Sequence, residues 1–382
     1  MGIFDKRITI ATHYLVYGAP QALRDYLINN KAKNLLFLAH PLSSHKDRSC
    51  YELIKNGQTK KKIVFPLRTR VSLANYIIEF CLTLFWVFSS REKQDLFIGV
   101  DNLNTMAGLT LRVLGKVDKV IYYTIDYSPR RFKNGLLNYI YHKIDALCVK
   151  YSDIVWNVSP RIAEGRKKIK GINFTEKQRV VPIGVWFNKI KRRPFDKIKR
   201  HQLLFLGHLL EKQGVQIVID AIPVIAKKVP NFHFLIIGGG EYEKALGEKV
   251  KKMKLDKQVT FTGWIKDRKR IDNLISESAC AIAPYDPRKA GFTYYADPTK
   301  IKDYLSAGLP VILTNVPYNA KEVEEKKCGI VINYNKKDVA NSIIEIMSNK
   351  KKLKDYRKNA LKYIQEFDWN KIFSKYLKEY ND

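Results

Sequence analysis

Between Gly291 and Thr314 the sequence reads GFTYYADPTKIKDYLSAGLPVILT, a stretch that gathers acids, lysines and the signals of a helix start. Asp297 is of a type that caps helices, Pro298 fits a first helical position, and Gly308 ends the segment before the apolar run that follows Pro310. Such a start turns the backbone N–H groups of Thr299 and Lys300 outward beside a lysine side chain, which is the composition of a phosphate site. Asp303 lies one helical turn further on. A carboxylate there suits a nucleotide, whose ribose hydroxyls are donors. A capped surface helix in an α/β domain is the alternative that this segment alone leaves open.

Other residues of chemical interest fall at predicted strand ends. In LLFLGHLLEKQGVQIVIDAI a strand ending at Gly207 is followed by His208, then by Lys212 and Gly214 before a helix, placing a cation and close-approaching backbone at the carboxyl edge of a sheet. Gly238, Gly239 and Gly240 follow the next strand, a pattern that tight packing at a turn explains equally well. Gly263, Trp264 and Ile265 follow a third, where Trp264 is either a ligand wall or a loop anchor. Near the N-terminus Gly18 precedes a helix opened by Pro20. Asp101, Asn102 and Asp126 stand at carboxyl ends of strands, so their polar groups face a cleft rather than the core. Arg130 and Arg131 follow Asp126 and suit an acceptor phosphate, with helix capping before Pro129 as the alternative for Asp126. His13, His40 and His45 lack metal-ligand spacing, and no metal is expected. A nucleophile elbow, a P-loop and a hydride-cofactor fingerprint are all missing from the sequence.

Positioning these residues requires strands alternating with helices. Apolar, β-branched runs occur at Arg7–Ala11, Leu35–Ala39, Lys62–Phe65, Leu96–Val100, Lys119–Ile125 and Asp153–Val158 in the first half. They recur at Gln202–Leu206, Phe232–Ile237, Val259–Thr262, Cys280–Ala283, Val311–Leu313 and Gly329–Ile332 in the second. Two successive sets of about six predict two doubly wound α/β domains. The first is placed at 1–185 and the second at 200–355, joined by a basic linker over 186–199. A helical segment, 356–382, is interrupted at Phe367-Asp368-Trp369.

The chain has 382 residues and a formal net charge of +32, which implies attraction to something anionic. Through Phe195 there are 34 Lys and Arg against 14 Asp and Glu, net +20, so positive charge is denser in the first half. Nucleic acid ranks last among the anionic partners, because no basic-aromatic stripe or docking motif is present. Five scattered cysteines argue against a disulfide framework and for a reducing cytoplasm. The N-terminus enters strand-like sequence directly, without the pattern of a signal peptide. The apolar stretch Leu73–Phe88 contains Glu79 and falls short of the ~20 residues that span a bilayer, so it reads as a core or interfacial helix, the buried core being preferred.

These segments together resemble family 4 retaining glycosyltransferases of the GT-B fold, across nearly the whole chain and most closely from Gln202 to Ile332. The resemblance implies two Rossmann-like domains facing a cleft, C-terminal helices that cross back to the first domain, and transfer of a sugar from a nucleotide-diphosphate sugar to a hydroxyl, without a bound metal. It places Gly18, Gly207, His208, Lys212, Gly239, Trp264, Ile265, Asp297, Thr299, Lys300 and Asp303 around the donor, with Lys212 and Lys300 on the departing diphosphate. His208 stands where the family usually has arginine, and Tyr295 where it has the first of two acids eight positions apart; Asp303 matches the second. Asp126 is the implied group orienting the acceptor hydroxyl, with Asp101, Asn102, Arg130 and Arg131 beside it. The charge and the aromatic run Phe80–Phe88 extend this to a cytoplasmic enzyme at the inner face of the cell membrane, acting on a polyprenyl-linked or other glycan. A nucleotide-sugar 2-epimerase and a non-catalytic partner of another glycosyltransferase are the alternatives.

Overall fold

The computed structural model describes residues 2–13, 17–41, 47–66, 69, 71–170 and 175–380. His45 lies outside them. The chain divides into two compact units, Met1–Pro182 with Trp369–Asp382, and Ile183–Asp368.

The first unit runs β1 (Arg7–Thr12), α1 (Ala19–Asn29), β2 (Asn34–Ala39), β3 (Ser49–Lys55), β4 (Gln58–Phe65), α2 (Ser72–Ser89), β5 (Gln94–Val100), α3 (Asn102–Val113), β6 (Val117–Thr124), α4 (Gly135–Tyr151), β7 (Ile154–Asn157), α5 (Pro160–Lys170) and β8 (Gln178–Val180). Its strands form one sheet in the order β4-β3-β2-β1-β5-β6-β7-β8. All neighbours are parallel except at β2–β3 and β3–β4. The expectation of about six strands is corrected to eight here. The expected run Lys62–Phe65 lies in β4; the two further strands are β8 and β3, and β3 forms with β4 a hairpin closed by Asn56 and Gly57, both with positive φ, Asn-Gly between strands being the sequence signal that marks such a turn. β4 is mostly exposed and rich in lysine, which protects a sheet edge. The core lies under β5 and β6, where Phe97, Val120 and Tyr122 meet Trp86 of α2 and Leu109 of α3.

The second unit runs β9 (Lys199–Leu206), α6 (Val215–Ala226), β10 (His233–Ile237), α7 (Glu243–Lys252), β11 (Val259–Phe261), α8 (Arg268–Glu277), β12 (Ser278–Ala283), α9 (Thr299–Ser306), β13 (Val311–Thr314), α10 (Ala320–Glu325), β14 (Gly329–Ile332), α11 (Lys336–Ser348) and α12 (Lys350–Ile364). The sheet order is β11-β10-β9-β12-β13-β14, parallel throughout. β12 (SACAIA) and β13 (VILT) are buried at every position, as strands covered on both faces must be. In each sheet the chain winds outward one way and then the other, giving a switch point between β1 and β5 and between β9 and β12.

The stretch read as a linker belongs to the second unit, which begins at Ile183 rather than after 199. It carries short 3-10 turns at Phe187–Lys189 and Phe195–Lys197. The Ile183 N–H donates to Asp297 Oδ2 at 2.8 Å, and the Val185 N–H donates to the Phe367 carbonyl at 2.9 Å. The final helix α13 (Trp369–Leu377) belongs to the first unit. There Phe373 packs against Tyr26 of α1, and the Tyr376 hydroxyl donates to the Val180 carbonyl at 2.6 Å.

Candidate functional site

Two sites form, one at the switch point of each sheet. In the second unit β9 delivers Gly207, which adopts φ +145°, a conformation L side chains rarely take. A Cβ built there would lie 2.8 Å from Lys300 Nζ. The ammonium of Lys300 donates to Gln213 Oε1 at 2.8 Å and sits over the rings of Phe205 and Tyr285, 4.3 and 5.1 Å from their centroids. Burial without a carboxylate partner pushes the Lys300 pKa down to about 7. The neighbouring Lys212 lies in the 3-10 turn that also carries Gln213, and its Nζ is 3.8 Å from the centre of the Phe292 ring. Two lysines, a glycine and a helix start thus lie at the carboxyl edge of the sheet.

The turn after β10 borders this point. His208 is exposed and packs against Trp264, ring centroids 5.6 Å apart. Trp264 itself is 67% exposed, which excludes the buried-anchor alternative and leaves an accessible aromatic face. A Cβ on Gly239 would come within 2.6 Å of Trp264 Nε1, so the turn and the indole require a glycine there. Ile265 beside it is half-buried, and Thr299 is exposed at the first position of α9.

Two expected roles change. Asp297 does not cap α9: the N-cap is Pro298, with no side-chain capping bond. Asp297 is instead buried, accepting from the Ile183 N–H and pairing with the equally buried Lys302 at 3.6 Å, so it braces the second unit. The reason is chain packing: Ile183 and Phe367, whose ring lies 3.3 Å from Lys302 Nζ, close over the segment that sequence alone leaves at the surface. Asp303 is buried too and accepts from Arg268 Nη2 at 2.7 Å. Burial raises its pKa and Arg268 opposes this. Its second oxygen keeps acceptor capacity.

In the first unit a cavity of about 720 Å³ opens at the β1/β5 switch point. His13 follows β1, Asp101 follows β5 and Asp126 follows β6, so three strand ends supply its polar floor. The structure brings together Asp101, Asn102, Asp126 and Arg131 of the expected acceptor residues. Arg130 is exposed and is not among the lining residues; nor is Gly18, whose N–H donates to Gln21 Oε1 at 3.0 Å at the start of α1. Asp126 is ion-paired with Arg131. Asp101 has φ +70° and ψ 165°, unusual for a residue with a side chain, and makes no side-chain capping bond to α3. Burial pushes its pKa up to about 7, against the pull of His13 and Arg131 and with Asp126 adding to the rise.

His13 is a site residue that sequence reasoning passed over as an ordinary histidine. The amide of Asn104 donates both to the Val100 carbonyl at 3.0 Å and to His13 Nδ1 at 2.9 Å. The other ring nitrogen, Nε2, faces Glu79 Oε2 at 3.2 Å. Glu79 had read only as an interruption in an apolar run; its position one helical face from the cavity was the signal available. Behind the floor, buried Arg166 bonds both oxygens of Asp145, at 2.7 and 2.9 Å, and reaches Thr124 and Asn157. Tyr122 also donates to Asp145, at 2.6 Å. This network fixes the ends of β6 and β7 from which Asp126 projects.

α2 is not the buried core helix preferred from sequence. Leu82, Trp86 and Val87 are buried, but Leu73, Ile77 and Phe85 are each about 60% exposed. Among the described residues no helix is long and apolar enough to cross a membrane.

Two doubly wound α/β units with sites at the carboxyl edges of their sheets define the GT-B architecture. Over residues 187–363 the chain matches the Glycosyl transferases group 1 family. It is similar to sucrose-phosphate synthase from Thermosynechococcus elongatus at 15% identity, with 98% of each chain covered and a TM-score of 0.74. It is also similar to the Anabaena HepE protein solved with UDP, at 16% identity over 98% of this chain and 99% of that one, with a TM-score of 0.70. At these identities the likeness is one of fold. Among curated proteins, a GDP-mannose-dependent α-(1-6)-phosphatidylinositol monomannoside mannosyltransferase of Mycobacterium tuberculosis is 27% identical over 153 residues, 39% of each chain. An uncharacterised glycosyltransferase of Methanocaldococcus jannaschii is 24% identical over 292 residues, 71% of this chain and 66% of that protein. The chain thus spans 39% of the length of the first curated relatives it matches.

Proposed function

We propose that the protein is a retaining glycosyltransferase that moves a sugar from a nucleotide-diphosphate sugar to a hydroxyl of a membrane-borne glycan. The observation that carries this is the pair of lysines at the β9/β12 switch point, Lys300 against Gly207 and Lys212 in the turn that follows it. The family match over the same residues and the named activity of the mannosyltransferase relative support the donor class.

In this reading the bond from the anomeric carbon to the diphosphate oxygen breaks, and the acceptor oxygen bonds to that carbon on the same face. The acceptor's proton goes to the departing diphosphate. Negative charge develops on the leaving group, so fixed cations are what the reaction needs most. Lys300 is held in place by Gln213, and a bound diphosphate would raise its pKa from about 7 and keep it charged. His208 and Trp264 stand where the base and phosphates would pass. Asp303 offers its second oxygen to the ribose.

The exposed apolar side chains of α2, with the +20 charge of the residues through Phe195, support contact with an anionic membrane. The decisive experiment measures donor hydrolysis and transfer for Lys212→Ala and Lys300→Ala. Losses of about a hundredfold or more are expected from removing a charge that meets the leaving group; wild-type rates in both variants would refute the proposal. Co-sedimentation with vesicles at low salt tests the membrane contact, and equal binding to neutral and anionic vesicles would count against it.

A further inference from the structure

The cavity of the first unit has two chemically different halves. Its walls are Leu73 and Ile77 from α2, Leu137, Ile140 and Ile144 from α4, and Phe132 before α4. Leu73, Ile77, Leu137 and Ile140 are exposed to solvent, so the walls continue as an apolar surface outside the cavity. Its floor is polar and rich in acceptors: Asp101 and the Asp126–Arg131 pair, beside His13, which Asn104 holds at 2.9 Å. Carboxylates accept hydrogen bonds, so the floor is built for hydroxyl groups and not for an anion. Within two residues of the lining residue Phe132, the exposed Arg130 and Lys133 add positive charge outside the floor.

One occupant satisfies all three regions. A hydrocarbon chain fits the walls, a phosphate the cations near Phe132, and sugar hydroxyls the floor. We propose that this cavity binds the glycan acceptor by its lipid, with the hydrocarbon lying between α2 and α4 and a sugar hydroxyl held by the Asp101 carboxyl. The volume of about 720 Å³ is within the range of pockets that enclose whole small ligands. The strained backbone of Asp101 fits the same role, since φ +70° turns the carboxyl away from capping α3. This deepens the transferase reading and rests on it for the identity of the hydroxyl as an acceptor.

The test uses the full chain and butyl, octyl and dodecyl glucosides below their micelle concentrations, with binding measured by calorimetry. Affinity should rise about fourfold per methylene until the walls are covered. Ile77→Glu and Ile140→Glu, both at exposed positions that tolerate charge, should abolish the chain-length dependence, while Val224→Glu, exposed in the second unit, should leave it unchanged. Asp101→Ala should weaken every glucoside by about tenfold, the loss of one charged hydrogen bond. Affinity that ignores chain length, wild-type binding by both glutamate variants, or unchanged binding by Asp101→Ala would overturn the assignment. So would a dimer that Ile77→Glu dissociates without any glucoside binding, since α2 would then face a second copy. Failure of the transferase reading itself appears separately, as no thermal shift with any nucleotide-diphosphate sugar while glucosides still bind.

Discussion

The ammonium of Lys300 donates to the side-chain oxygen of Gln213 at 2.8 Å, and the space that keeps it there is the missing Cβ of Gly207. This relationship couples β9, the turn after it and α9 into one cation site.

The charge on Lys300 has a cost in the ligand-free chain. Its folded-state pKa, about 7, lies below the 10.5 of the unfolded chain, so the folded state binds fewer protons between these values. The penalty is full below pH 7 and fades as pH rises toward 10.5. Lys300→Met should therefore raise the thermal midpoint at pH 6, with the gain shrinking at pH 9, while donor binding is lost at both. Thermal unfolding with and without a nucleotide-diphosphate sugar checks both halves.

Gly207→Ala should harm ligand binding more than folding. The new methyl group meets the far end of a flexible lysine at 2.8 Å, and φ +145° is unfavourable for alanine. We expect a stability loss of about 1–3 kcal/mol from backbone strain, and donor affinity reduced beyond it because Lys300 is displaced. A donor titration that matches the wild type would show that Lys300 Nζ is not at the binding point.

The pair Asp297–Lys302 should behave as a structural unit. Burial disfavours charge on both side chains, and each is compensated by the other at 3.6 Å. Lys302→Met alone leaves a buried carboxylate and should destabilise by about 3–5 kcal/mol. Combining it with Asp297→Asn should recover a large part of that loss. Denaturant unfolding of the singles and the double measures the coupling.

Asp101 gives the acceptor side its own pH signature. Its carboxyl, with a pKa of about 7, faces His13 from β1, and Asp126 and Arg131 from the segment after β6. A hydroxyl donates to the ionised form, so acceptor KM should fall as pH rises through 7. Asp101→Asn should flatten this profile and raise KM at high pH, with kcat for donor hydrolysis unchanged. A variant profile with the wild-type slope would assign the titration to another group.

The second unit was legible in detail because its inner strands β12 and β13 are buried at every position and its others also read as short apolar runs; all six appear where sequence places them. The first was legible in part. Of the edge hairpin the run Lys62–Phe65 of β4 was read and β3 was not, although the Asn56-Gly57 turn was the readable sign; the three-residue β8 was too short to read. Lys212, Lys300 and Gly207 could be grouped from sequence because Gly207 directly follows β9, Lys212 lies in the turn between β9 and α6, and Lys300 stands in the first turn of α9. The His13–Glu79 contact joins residues 66 positions apart. The alternation of one strand and one helix contains no information about that pairing.

Sequence by itself determined the α/β class, the doubling of the sheet, the strand ends that carry chemistry and the excess of positive charge. These follow from local periodicity and from residue type, which are properties of short segments. Only the tertiary structure decided that Asp297 is a buried brace, that α2 shows half its apolar face to solvent, and that three strand ends of the first unit share one cavity. Burial and encounter depend on which distant segments pack together, and a carboxylate becomes a brace or a ligand according to what closes over it.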